Sequence, residues 1–436
     1  MGAYRVMRKV VIRGPIFSKS GYGEHARLVF RAISSKPELY DIYVQPTVWG
    51  NTSWTFKDTD EIKKIKECVI KANNFPQGGI YDVSLQVQLP NEWQNIASYN
   101  IGVTAAIETD KAPAEWAANA NNVVDEIITI SKHSKLSMTA PKYIAVNQQT
   151  NQQIQFQLDK KVSVIGFPVK NHSSENKNSK FLKDVTTKFN FLSILQASPR
   201  KNMGSMVCWF IEEFHDNEDV GLVIKANKLC NSNIDRKMIT GELKAITDKY
   251  KNKKCKVYLL HGTLEEDELH GLYTDEKIKC YLTATHGEGF GLPIFEAAYS
   301  GLPVVAPAWS GQVDYLYADV ENKKSKKLKK TPLFTKVKYS ILPVQKEAIV
   351  PKIISEESNW CFPQEKSFKK AIRNTYESIA HKQSMAKKLQ EHLNNNFSKE
   401  KIYSQYCEVL DEHFKTLVDD VDDWFNNMQA EIVELD

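Results

Sequence analysis

His286-Gly287-Glu288-Gly289-Phe290-Gly291-Leu292-Pro293-Ile294-Phe295-Glu296 is the stretch that decides how this chain is read. Ahead of it, residues 278–285 carry Ile278, Cys280, Tyr281 and Leu282 and predict a short buried strand. Behind it, Pro293 stands where a first helical turn begins, and Ile294, Ala297 and Ala298 supply an apolar face. The stretch is therefore a strand, a Gly-rich loop and a helix start. Its glycines let the backbone come close to a ligand, and the helix N-terminus offers free N–H groups at the positive end of a dipole. Together these suit a phosphate. Glu288 and Glu296 flank the loop, and carboxylates accept hydrogen bonds from hydroxyls, so a phosphorylated sugar or ribose fits between them. A plain strand-to-helix turn with two solvated Glu residues would use the same residue types.

At 436 residues the chain is too long for one ordinary core, and two domains are expected. A formal net charge of +5 permits an anionic partner without requiring one. The seven cysteines are scattered with no C-x-x-C, which points away from a disulfide framework or zinc site and towards a reducing, cytoplasmic compartment. Val10-Val11-Ile12 is followed at once by Arg13-Gly14-Pro15, so a signal peptide is not expected, and no apolar run reaches the length of a membrane span.

Residues 9–14 read as a first parallel strand, followed by Gly21-Tyr22-Gly23 and a helix from about Glu24. This is a second strand, Gly loop and helix, and by itself it is as well explained by a tight turn. Residues 41–48, 83–89, 101–107 and 125–130 predict further strands. Ligands of doubly wound sheets bind at the carboxyl ends of strands, which makes Glu108 and Asp110 candidates as acceptor ligands or proton acceptor. Capping of the next helix by Thr109 or Asp110 is the alternative. His133 could touch substrate or sit in a solvated loop. Residues 147–157 are Gln-rich and polar, without a clear pattern, and residues 162–169 close the first half. Residues 171–180 have linker composition. The second half opens with a strand at 189–196 and the basic turn Pro199-Arg200-Lys201, whose cations at a strand end suit a diphosphate. Strands at 221–225 and 257–261 follow. Residues 321–330 hold six lysines, a pattern usual for a solvated loop.

Glu288 and Glu296 have the Glu-x7-Glu spacing of the retaining glycosyltransferases, and Gly289-Phe290-Gly291-Leu292-Pro293 fills it as in family 4. The similarity continues through Glu296-Ala297-Ala298-Tyr299-Ser300-Gly301-Leu302-Pro303-Val304-Val305 to Gly311 and Asp314. It is thinner at residues 14–26 and 101–135.

The resemblance implies a GT-B fold of class α/β, with two Rossmann-like domains facing across a cleft. Residues 1–175 would bind the acceptor, residues 181–400 the nucleotide sugar, and a helix in 401–436 would cross back onto the first domain. It implies a donor site of Gly21, Tyr22, Gly23, Arg200, Lys201, Glu288, Gly289, Phe290, Gly291, Leu292 and Glu296. Glu296 would hold ribose hydroxyls and Glu288 the reacting sugar. Arg200 and Lys201 would stabilise the leaving diphosphate, with Asp110 and Glu288 at the chemistry and Glu108, Asp110 and His133 towards the acceptor. Members usually carry an Arg at the strand end and a Lys five residues on. Lys201 matches the Lys, whereas Gln196 stands at the Arg position.

No metal or cofactor is implied beyond a nucleotide-sugar donor, expected to be a UDP-sugar. The first half also resembles stand-alone glycosyltransferases of bacteriophages, some of which act on hydroxylated bases, so double-stranded DNA is the expected acceptor and the host cytoplasm the expected place. A surface glycan or lipid-linked sugar, or a non-catalytic nucleotide-sugar-binding role, are the alternatives.

Overall fold

The computed structural model of the protein describes residues 7–55, 57–147, 149–172, 179–321 and 326–430, with side chains as far as residue 415. The first half alternates β1 (Arg8–Gly14), α1 (Gly21–Ile33), β2 (Tyr40–Pro46), α2 (Asp60–Asn73), β3 (Tyr81–Val87) and β4 (Ala97–Thr104). It continues with α3 (Ala114–Val123), β5 (Glu126–Thr129), α4 (Lys132–Thr139) and β6 (Lys161–Val164). These strands form one parallel sheet in the order β2-β1-β3-β4-β5-β6. Val10, Val11 and Ile12 are all fully buried. That is why β1 is apolar without alternation: helices cover both faces of a parallel sheet.

The second half runs β7 (Phe189–Gln196), α5 (Met203–Phe214), β8 (Val220–Asn227), α6 (Asn233–Thr247), β9 (Lys256–Leu260), α7 (Glu266–Thr274) and β10 (Ile278–Leu282). Then come α8 (Leu292–Tyr299), β11 (Val304–Pro307), β12 (Thr335–Val337), α9 (Glu365–Glu377), α10 (Ile379–Asn396) and α11 (Lys399–Ala430). Its parallel sheet has the order β9-β8-β7-β10-β11-β12. The architecture is α/β with two Rossmann-like sheets, the GT-B arrangement. Each sheet reverses its strand order once, at β1/β3 and at β7/β10. Ligands of open α/β sheets bind at the carboxyl ends beside such a switch point, and both Gly-rich stretches lie there.

Residues 165–172 carry the chain between the sheets. Phe167 packs on Phe290 with ring centres 5.2 Å apart, and the Val169 N–H donates to the Phe397 carbonyl at 2.8 Å. α11 returns to the first half. His25 Nε2 and Tyr406 Oη are 3.0 Å apart, Tyr40 Oη donates to Asp411 Oδ1 at 3.0 Å, and the Arg8 guanidinium lies 4.5 Å over the Phe414 ring. Leu417, Val418 and Trp424 of this helix lie outside the described side chains.

Several local expectations are corrected. α1 begins at Gly21, three residues earlier than read, because the Ser20 hydroxyl accepts from the Gly23 N–H at 3.1 Å and caps the helix there. A Cβ at Gly23 would stand 1.9 Å from the Ser18 carbonyl oxygen, so this glycine serves close packing of the first turn onto the loop. The polar stretch at 147–157 belongs to an antiparallel hairpin, Tyr143–Val146 with Gln153–Phe156. The lysine run also forms a hairpin, Tyr317–Glu321 with Leu328–Pro332, in which Asp319 faces Lys330 in register and Glu321 pairs with Lys326 at 3.6 Å. Lys326, Lys327, Lys329 and Lys330 are all exposed to solvent. Lys323 and Lys324 lie outside the described residues. Thr109 and Asp110 cap no helix: α3 starts after Pro113 with no side-chain cap.

Candidate active site

The two sheets face each other across a cleft of about 1040 Å³ that both Gly-rich stretches line. On the second-half side, β10 delivers residues 283–291 and α8 opens at Leu292, with Pro293 in its first turn, as its missing N–H allows. Tyr315 Oη donates into the loop, 3.0 Å from the carbonyl oxygens of both Phe290 and Gly291. At Gly287 the halves pass close together, since a Cβ there would lie 2.5 Å from the Glu108 carbonyl oxygen and 2.9 Å from the Trp309 ring. A side chain at this position would force the cleft apart.

Around that point four charged groups from three parts of the chain converge. Lys201 Nζ donates to both oxygens of Glu288, at 2.6 and 2.8 Å. Arg200 Nη1 lies 3.2 Å from Glu288 Oε2 and donates to the Gly287 carbonyl at 2.6 Å, while its Nη2 pairs with Glu108 at 3.2 Å. Burial alone would raise the Glu288 carboxyl, but Lys201 and Arg200 outweigh it and hold it ionised, below the usual carboxylate range. Burial works against the Arg200 charge, yet Glu108 and Glu288 keep it more strongly protonated than a free guanidinium. The result is a preorganised set of cationic donors held by Glu108, Glu288 and the Gly287 carbonyl. It lies beside the N-terminus of α8, whose positive dipole end would receive a developing phosphate charge, although Pro293 has no N–H and the Ile294 N–H donates to the Gly291 carbonyl at 2.9 Å.

Glu296 lies one turn inside α8, and Tyr273 Oη donates to its Oε2 at 2.9 Å. Burial raises its carboxyl to about 7, Lys170 and the Tyr273 hydroxyl pull it back down, and Glu24 and Glu266 add to the rise. Lys170 therefore matters to the site. It comes from the connecting segment, ion-pairs with Glu24 at 3.0 Å and contacts Glu266, so it ties α1 to α7 across the cleft. Lys170 falls between the strand and the linker read from the sequence, and nothing there singles it out. The signal lies in its spatial neighbours, as it does for Glu24, which Arg27 and Arg31 also hold at 3.0 Å.

Gly21, Tyr22, Glu108, Arg200, Lys201, Gly289, Phe290, Gly291, Leu292 and both Glu residues of the motif line the one cleft. Gly23 lies beneath it. Tyr22 stacks on Trp49 at 4.0 Å, and its hydroxyl accepts from the Ala105 N–H at 3.2 Å, which leaves the ring as a wall rather than a free hydroxyl. Asp110 is not brought into this group. Both of its oxygens accept from Asn359, at 2.8 Å each, and it braces the two halves from outside the cleft. His133 is not in a solvated loop. It sits in the first turn of α4 with its ring edge-on to Trp309 at 4.7 Å, and burial lowers its imidazole to about 4, so it is neutral at physiological pH.

Residues 239–405 match the protein family described as "Family 4 Glycosyltransferase in conflict systems". Over this segment the chain is similar in sequence to family 4 glycosyltransferases. The fold agrees along nearly the whole chain. HepE of Anabaena, solved with UDP-glucose, superposes with a TM-score of 0.55 at 14% identity, over 93% of this chain and 99% of that one. The sucrose-phosphate synthase of Thermosynechococcus elongatus superposes with 0.59 at 11% identity, over 94% and 100%. The N-terminal domain of Candida albicans trehalose-6-phosphate phosphatase gives 0.51 at 11% identity, over 94% and 98%. At such identities the likeness is one of fold. No curated protein matches in sequence. Among the described residues no helix is long and apolar enough to cross a membrane, and no three His, Cys, Asp or Glu side chains gather as metal ligands would.

Proposed function

We propose that this glycosyltransferase transfers a sugar with retention from a nucleotide-sugar donor, a UDP-sugar, to a hydroxyl of a hydroxymethylated base in double-stranded DNA. The observation that carries the transfer reading is the convergence of Arg200, Lys201 and Glu288 at the N-terminus of α8. In the reaction the glycosyl–oxygen bond to the diphosphate breaks, and the growing charge is met by Arg200, Lys201 and the positive end of the α8 dipole. Glu296 accepts from ribose hydroxyls. Glu288, oriented by the two cations, accepts from hydroxyls of the transferred sugar. The acceptor attacks from the face the diphosphate leaves, and the departing phosphate oxygen takes its proton, so stereochemistry is retained without a protein nucleophile.

The DNA acceptor rests on a separate set of positions. Lys330 lies near Asp314, whose carboxylate accepts from the Lys132 N–H at 2.7 Å, beside His133 and Trp309. These contacts support a reading in which the basic hairpin faces the acceptor. A glycan acceptor is favoured by one observation, the partial neutralisation of this hairpin by Asp319 and Glu321. Incubating the protein with a panel of nucleotide sugars and 5-hydroxymethylated duplex DNA, then weighing the nucleosides, tests the proposal. A hexose or pentose added to the modified nucleoside supports it. Donor hydrolysis without DNA labelling moves the acceptor to a glycan, and no turnover of any donor refutes the transferase reading.

A further inference from the structure

We infer that Lys225 binds the diphosphate of the donor and supplies the uncompensated positive charge of the cleft, an assignment that rests on the nucleotide-sugar reading above. Lys225 stands near the carboxyl end of β8 and lines the same cleft as Lys201 and α8. Register places it beside Ile194, and Asn227 beside Gln196, so its side chain leaves the sheet on the face shared by those cleft-lining residues. Parallel neighbours in register point the same way.

What distinguishes Lys225 is its lack of a counterion. The other cations lining the cleft are all paired. Arg200 and Lys201 share Glu288 and Glu108, Arg27, Arg31 and Lys170 share Glu24, and Lys19 and Lys57 reach Glu265. Among the described residues no carboxylate lies within 4.0 Å of Lys225, and no hydrogen bond holds its ammonium. Burial accordingly lowers its affinity for the proton, with Asp235 opposing from beyond ion-pair distance.

The charge balance points to the ligand. Arg200 and Lys201 against Glu108 and Glu288 sum to zero. A sugar-nucleotide diphosphate brings two negative charges to that neutral array, and the N-termini of α1 and α8 and the Lys225 ammonium remain to meet them. An unpartnered ammonium in a partly desolvated site costs stability, and an incoming phosphate oxygen removes that cost.

Full-length wild type and Lys225→Met are titrated calorimetrically with UDP, GDP, ADP and inorganic pyrophosphate, and their melting temperatures are taken without ligand. The variant is expected to bind pyrophosphate and the preferred nucleotide more weakly by the same factor, about 10- to 100-fold. Its ligand-free melting temperature should equal or exceed that of wild type, because an unpaired charge has gone. Lys225→Arg should recover most of the affinity. Unchanged diphosphate affinity overturns the inference, and so does a loss confined to the nucleotides, which would put Lys225 on the base or ribose. A lower melting temperature without ligand would mark a structural lysine and overturn it as well. A wild type that binds none of the four ligands would instead remove the nucleotide-sugar reading itself.

Discussion

Replacing Glu296 with Gln gives a pH experiment whose direction and size follow from the site. The carboxyl is raised to about 7 by burial, with Lys170 and Tyr273 opposing. Ribose hydroxyls donate to it only when it is ionised. The ionised fraction falls from roughly nine-tenths at about pH 8 to roughly one-tenth at about pH 6, so donor affinity should fall about tenfold, or ~1.4 kcal/mol. A nucleotide sugar is the right probe, because its diphosphate is esterified at both ends and keeps its charge across this window. Stability of the ligand-free protein should move the other way. The folded state holds this proton more tightly than the unfolded chain. The contribution is therefore complete below about pH 4.5 and is lost as pH rises through about 7, up to about 3 kcal/mol. Titration calorimetry and thermal melts over the same buffers read both trends. Glu296→Gln should bind weakly at every pH and show neither slope. A wild type with flat donor affinity, or a Gln variant with the same slope as wild type, refutes the role given to Glu296.

Arg200→Met should leave Glu108 and Glu288 facing each other without their shared cation and lower kcat by about 10²- to 10³-fold, measured by single-turnover sugar transfer. Gly287→Ala should push the loop away from Glu108 and Trp309 and cost about 1–3 kcal/mol of stability in denaturant melts, with donor binding weakened in parallel. His25 is lowered to about 3 by burial, against the pull of Glu24. Its neutral form is part of the fold, so the stability it gives is full above about pH 6.5 and drains away as pH falls towards 3. His25→Phe should show a shallower acid transition in a circular-dichroism titration, starting from lower stability because Tyr406 loses its partner. Turnover should survive excess EDTA, because side-chain cations and the α8 N-terminus meet the leaving group. A loss restored by magnesium would refute that account.

How much of this was written in the chain itself can be argued residue by residue. The strand, loop and helix around 278–299 are local objects. Four apolar residues, a run of glycines and a Pro at a helix start specify them within about twenty positions, and the match to 239–405 covers the same ground. The two parallel sheets were legible for a similar reason, since a strand buried on both faces has to be apolar throughout. The one-turn offset of α1 was not, because it depends on a single hydroxyl, Ser20, reaching the Gly23 N–H.

Convergence was beyond the reach of local pattern. Lys201 and Glu288 are 87 positions apart and lie in contact, whereas Asp110, chosen for standing at a strand end like Glu108, turns to Asn359 some 249 positions away. Strand periodicity gives the face a side chain leaves from, but not which carbonyl, carboxylate or ring stands opposite. The same limit hid the difference between the paired cations and Lys225. Residue type and spacing determined that this chain would build two phosphate-ready strand-to-helix joints. Which charges would be cancelled there, and which left for a ligand, was decided only when the two sheets were brought face to face, because an ion pair exists between positions in space and not along the chain.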